Sequence, residues 1–197
     1  LLDTRWGASA RETYLTDGVV AASASNLVIT EVHYHPAPPT LSESNAGYTD
    51  ADDFEFLELL NNGLDPIDLV DCRFSDGIDF TFPFNSLILP GARLILAKNP
   101  DAFLFRYGAG FNVIGSFLDT SLSNDGEQII LLASNNSPIT TFTYNDVWYP
   151  PTDGDGYSLE LRDPTNTPEF ARSQSPSWGI SCDFGGTPGT AGLLFNQ

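Results

Sequence analysis

Short apolar and β-branched runs, each closed by a turn cluster, recur along this chain and restrict it to an all-β fold. The clearest is Glu55-Phe56-Leu57-Glu58-Leu59-Leu60-Asn61-Asn62, which stops at Gly63-Leu64-Asp65-Pro66. A second run, Asp71-Cys72-Arg73-Phe74-Ser75, ends on the Asp76-Gly77 turn. Asp-Gly tolerates the positive φ that tight hairpin turns demand, so Cys72 to Ser75 and Phe80 to Phe82 form a hairpin. Leu27 to Val32, Leu94 to Ala97, Gln128 to Leu132, Thr140 to Tyr144 and Tyr157 to Leu161 read as further strands. Turn signals every 8 to 12 residues or so between short strands indicate a β-sandwich. One short helix interrupts the pattern. Asn99 suits an N-cap, Pro100 the first helical position and Gly108 the stop, with Phe103, Leu104 and Tyr107 on its buried face. Residues 36–53, with three prolines, read as a long irregular loop.

An apolar fraction of 41% with 14 Phe and 7 Tyr is enough for a core, which excludes a disordered acidic tail. Charge is lopsided, with 26 Asp and Glu against 8 Lys and Arg, a net −18. No basic residue lies between Arg11 and Arg73, a span holding 12 carboxylates. Nucleic-acid binding needs Lys and Arg to neutralise phosphates, so this surface repels DNA and RNA, and anionic lipid headgroups as well. No run of apolar residues is long enough to insert into a membrane. The N-terminus lacks the charged and apolar regions of a signal peptide and reads as a cut within a longer chain. Residues 1–25, with Thr13-Tyr14-Leu15 as their best strand, are expected to end a preceding domain or form a linker, and 26–197 to form the main domain with a C-terminal extension. Cys72 and Cys182 make no CxxC motif and allow either one disulfide or two buried thiols.

Taken in order, these pieces resemble the lamin tail domain family, an immunoglobulin-like β-sandwich. The resemblance rests on Leu27-Val28-Ile29-Thr30-Glu31-Val32, on Glu55 to Leu59 with Asn61, and on Leu69 to Phe74 with Ser75-Asp76-Gly77. It continues through Phe82-Pro83, Leu89-Pro90-Gly91 and Leu122-Ser123-Asn124-Asp125-Gly126-Glu127, and Gly185-Gly186-Thr187-Pro188-Gly189 is similar to the ending common in bacterial members. The family occurs in nuclear lamins and in secreted or surface multidomain proteins of bacteria. The resemblance therefore implies a non-catalytic accessory module in an extracellular or cell-surface bacterial protein, mediating protein–protein or surface attachment. Cys72 stands where many members place a tryptophan before the turn, so the core there is filled differently, and a Cys72–Cys182 bond is one way to do it.

Few residues suggest chemistry of their own. Asp50, Asp52, Asp53 and Glu55 cluster ahead of a strand, where calcium could draw on carboxylates and loop carbonyls; the competing reading is a solvated acidic turn. Asp153-Gly154-Asp155-Gly156 resembles half of a calcium loop but lacks the distal glutamate of an EF-hand, and reads equally as a strand-entry turn. Together these residues frame a calcium-stabilised spacer. His33 and His35 share a face of an extended segment, without the third ligand that zinc requires. No Gly-x-Ser-x-Gly elbow is present, and Glu55 and Glu58, three apart in a strand, point to opposite faces and cannot flank one glycosidic bond. Trp148, Tyr149 and Trp178 could stack on sugar rings as a carbohydrate-binding module, or cover the open end of the core.

Overall fold

The structure, a computed structural model, describes residues 18–117 and 119–192. Strands β1 (Val20–Ala21), β2 (Leu27–His33), β3 (Phe56–Asn61), β4 (Ile67–Asp68), β5 (Arg73–Asp76), β6 (Phe80–Thr81) and β7 (Leu87–Ile88) come first. β8 (Arg93–Ala97), β9 (Val113–Ser116), β10 (Gln128–Leu132), β11 (Pro138–Thr143), β12 (Leu159–Leu161) and β13 (Trp178–Ile180) follow. Helix α1 spans Leu41–Ala46 and α2 spans Pro100–Tyr107.

The strands form a six-stranded sheet in the order β13-β12-β2-β3-β8-β9, a four-stranded sheet β11-β10-β5-β6, and a small sheet β1-β4-β7. All pairs of the large sheet are antiparallel except β8 with β9. That pair is parallel because α2 carries the chain back across the sheet between them, the crossover a parallel connection needs. Between the two larger sheets lies the main core. Leu27, Ile29, Leu57, Leu59, Leu94 and Leu96 enter it from one side, and Phe74, Ile129, Leu131, Ile139 and Phe142 from the other. Each such side chain, fully buried, contributes about 1.5–3 kcal/mol of transfer free energy. The hairpin expected around Asp76-Gly77 is β5 paired with β6.

Helix α2 starts and stops where its sequence signals stand. The Asn99 side chain accepts from Ala102 N–H at 3.2 Å, Pro100 occupies the first turn, and Gly108 follows the last residue. Helix α1 corrects the expectation of a wholly irregular stretch over 36–53. Thr40 and Glu43 form a reciprocal capping box, with Glu43 N–H donating to Thr40 Oγ1 at 3.3 Å and Thr40 N–H to Glu43 Oε2 at 2.6 Å. Arg106 of α2 fastens the two helices, donating to Glu43 Oε1 at 2.7 Å while lying 3.3 Å over the Phe54 ring. That guanidinium holds the Glu43 carboxyl down at about 2.

Val20–Ala21, inside the stretch read as a linker, pairs in parallel with Ile67–Asp68 and so forms part of the small sheet. Thr13-Tyr14-Leu15 lie outside the described residues. At the other end, β12 and β13 make the C-terminal third part of the main sheet. The open edge of β11 is closed by side chains, because Thr141 and Thr143 N–H donate to Glu169 Oε1 at 3.1 Å and Ser173 Oγ at 3.0 Å.

Candidate functional site

The outer face of the six-stranded sheet carries a row of buried carboxylates. A register shift in β2 between Ile29 and Glu31 places an extra residue opposite β3. Because side chains alternate along a strand, this bulge sends Ile29 and Val32 into the core while Thr30 and Glu31 both reach the outer face. Glu31 then stands opposite Glu58 on β3 and opposite Glu160 on β12, giving three glutamates in a row across three neighbouring strands. All three are buried. The next row along is apolar, with His33 opposite Phe56 and Phe56 opposite Ala97.

Two different covers seal these two halves. Over the apolar half lies α2, where Phe103 and Tyr107 pack edge-on to Phe56 at 5.5 and 5.8 Å. Over the carboxylate half runs the C-terminal strap, residues 185–192. Thr187 N–H donates to Glu31 Oε1 at 2.9 Å, Thr187 Oγ1 donates to Glu160 Oε1, and Gly189 N–H donates to Glu58 Oε2 at 2.6 Å. The strap thus gives each carboxylate one hydrogen bond. Gly186 makes the close approach possible, since its φ is +87° and a Cβ there would collide with Glu31 Oε1. From below, Ser158 Oγ donates to Glu31 at 2.5 Å and Thr30 Oγ1 to Glu58 at 2.6 Å, and Arg93 on β8 pairs with Glu58. Beside the strap an open cleft is lined by Thr30, Glu31, Glu58, Arg93, Glu160 and Arg162.

Burial dominates the electrostatics of this row. It raises the Glu31 carboxyl well above its usual range, with the Glu58 charge adding to the effect. Glu58 is raised by burial in spite of Arg93, and Glu160 is pushed up to about 7 by burial and by Glu58. Three carboxylates against one guanidinium would leave an uncompensated negative charge in a desolvated place, which favours retained protons.

The sequence matches the family model of the Lamin Tail Domain over residues 20–146. This chain belongs to the lamin tail domain family. No curated protein and no solved structure shows significant similarity to it. The family is one of immunoglobulin-like structural domains, in keeping with the two packed sheets. In this lamin tail domain Glu31 and Glu58 fall within the matched span, whereas Glu160 and the strap lie beyond it and complete the same sheet face. No helix among the described residues is long and apolar enough to cross a membrane.

The residues singled out from sequence are dispersed around the domain. Asp50 caps its own turn by accepting from Asp52 N–H at 3.2 Å, Asp52 lies 3.5 Å from Lys98 Nζ, and Asp53 accepts from Asn99 Nδ2 at 3.0 Å. Glu55 turns inward, accepting from Leu122 N–H at 2.9 Å, away from Glu58 beneath the strap. Asp153 binds His35 Nδ1 at 2.6 Å, and Gly154 N–H donates to His35 C=O, so the Asp153 to Gly156 turn is clipped to the segment after β2; Asp155 is exposed. Among the described residues, no group of three or more His, Cys, Asp or Glu side chains is arranged to hold a metal ion. His33 is packed under α2, 5.2 Å from and edge-on to Phe56, and burial with the Arg106 charge lowers it to about 3.

Two expectations need correction. Trp178 is not a sugar platform. It is fully buried, stacks on Phe142 at 5.2 Å, and donates its indole N–H to Arg172 C=O at 2.6 Å. Tyr149 is half-buried and bonds Trp178 C=O at 3.0 Å, and Trp148 packs partly against the core. Cys72 and Cys182 are not joined in a disulfide. Cys72 lies in the apolar core ahead of β5, where burial pushes its thiol up to about 11, while Cys182 follows β13 in the other sheet. Sequence reasoning missed the carboxylate row itself. Its signal was a glutamate flanked by apolar residues in each of three strands: Thr30-Glu31-Val32, Leu57-Glu58-Leu59 and Leu159-Glu160-Leu161.

Proposed function

We propose that this lamin tail domain is a non-catalytic accessory module of a larger bacterial secreted or surface protein, and that it docks other proteins. One observation carries the reading. Within the six residues from Phe84 to Leu89, around the edge strand β7, three large apolar side chains face solvent, with Phe84 75%, Leu87 45% and Leu89 57% exposed. Apolar side chains grouped on a surface are the usual mark of a protein contact. The carboxylates of β4 and the turn after it, Asp68 and Asp71, adjoin this edge, and the chain carries a net −18, so a partner presenting apolar and basic groups fits best. A calcium-stabilised spacer fits less well, because Asp50, Asp52, Asp53 and Asp153 already have protein partners. A carbohydrate module fits less well too, because Trp178 is inside the core. The acidic surface suits a salty exterior, where cations screen its self-repulsion.

A photo-crosslinking side chain placed at Leu87 of the parent protein on cells, against one at exposed Thr165, tests the docking face. A single protein adduct specific to Leu87 is expected. Equal adducts at both positions, or none, refute the face, and turnover in a broad hydrolase panel refutes the non-catalytic assignment.

A further inference from the structure

We propose that residues 185–192 are a proton-dependent strap, fastened over the Glu31–Glu58–Glu160 row in mildly acidic solution and loosened as the pH rises. The geometry supplies both halves of such a device. The strap is held by donors aimed at three carboxylates, two of them backbone N–H groups that no side-chain change can remove. The carboxylates sit directly opposite one another on adjacent strands, a placement in which like charges repel. Closed, the strap lays Gly185 to Pro188, all buried, over the row. Opening it rehydrates the row.

The charges around the row set the direction. Arg93 on β8 pairs directly with Glu58 and only partly offsets Glu160, and Arg162, after β12, is turned to Trp178 C=O. Asp183, just ahead of the strap, adds negative charge toward Glu160. From α2, Tyr107 donates to Gly185 C=O at 2.6 Å and brings no positive charge; Arg106 is engaged by Glu43, and His33 beneath is held neutral by burial. With the strap closed, at least one proton must therefore remain among the three glutamates, and burial holds Glu160 near 7 against an ordinary value of 4.5. The open, hydrated row loses the burial that raises it and titrates lower. The closed form thus binds a proton that the open form releases, so closure is favoured in mildly acidic solution and weakens as the pH rises through about 7.

Hydrogen exchange of the whole chain between pH 5 and pH 8, corrected for intrinsic exchange, tests this by comparing the strap amides with those of β3. Strap protection is expected to fall about tenfold per pH unit as the pH rises toward 7, the signature of one released proton, while β3 stays protected. Glu160→Gln and Glu31→Gln are each expected to flatten that fall. Strap protection that is independent of pH, or that falls in step with β3, overturns the proposal on the parent protein alone. So does a fall that persists undiminished in both variants.

Discussion

Replacing Glu55 by Gln should make this domain more stable in neutral and alkaline solution. Glu55 is fully buried between the turn that precedes β3 and the 121–127 loop. One of its oxygens accepts from Leu122 N–H at 2.9 Å, and the other, Oε1, has no hydrogen-bond partner among the described residues. Burial raises its carboxyl from 4.5 to about 9; Lys98 opposes this weakly, and Asp52 and Glu127 reinforce it. The folded chain therefore keeps a proton that the unfolded chain loses near 4.5. Stability from this group is fully present below that value and is lost as the pH climbs through about 9, at about 1.4 kcal/mol per pH unit. At pH 7 the parent has forfeited about 3 kcal/mol. Gln presents the same shape and an acceptor for Leu122 N–H with no charge to desolvate. Urea melts at pH 5, 7 and 8.5 should find the two proteins within about 1 kcal/mol at the lowest pH. The variant should be ahead by about 3 kcal/mol at pH 7 and by more at pH 8.5. Parallel pH profiles for parent and variant would refute the reasoning, because they would show that Glu55 is ionised in the fold.

Three further outcomes are expected. Trp178→Ala should cost about 3–5 kcal/mol in chemical denaturation, since it empties a fully buried site and strands the Arg172 carbonyl. Gly126→Ala should destabilise by at least about 1 kcal/mol, because φ is +88° there and a Cβ would stand 2.6 Å from Tyr144 C=O; a stability equal to the parent's would contradict the turn geometry. In the folded protein Cys72 should resist maleimide at pH 8 while unfolding exposes it, and a reductant should leave the melting temperature unchanged, which a disulfide would not allow.

Much of the architecture was legible in the residues. The apolar run of Glu55 to Asn62 with its closing turn, the Asp76-Gly77 hairpin and the Asn99-Pro100 helix start are local signals, because turn chemistry and capping act over a few neighbouring residues. Helix α1 was equally local, its Thr40–Glu43 box hidden among prolines that read as loop. The candidate site was not legible in the same way. Glu31, Glu58 and Glu160 are separated by long stretches of chain, and each alone reads as a solvent-facing strand residue.

What the sequence determined by itself is the class of fold: short strands, their turns, an acidic surface and membership of a family of sandwich domains. Periodicity and turn residues carry that information within a few positions. Tertiary structure alone decided that a bulge in β2 turns Glu31 outward, that strand register lines it up with Glu58 and Glu160, and that the Gly-Thr-Pro-Gly segment lies over them. It also decided that Trp178 fills the core and that Cys72 and Cys182 stay apart. Those outcomes depend on which strands pair and on what then covers each face, and burial, which sets the charge state of every one of these groups, exists only once the sheets have packed.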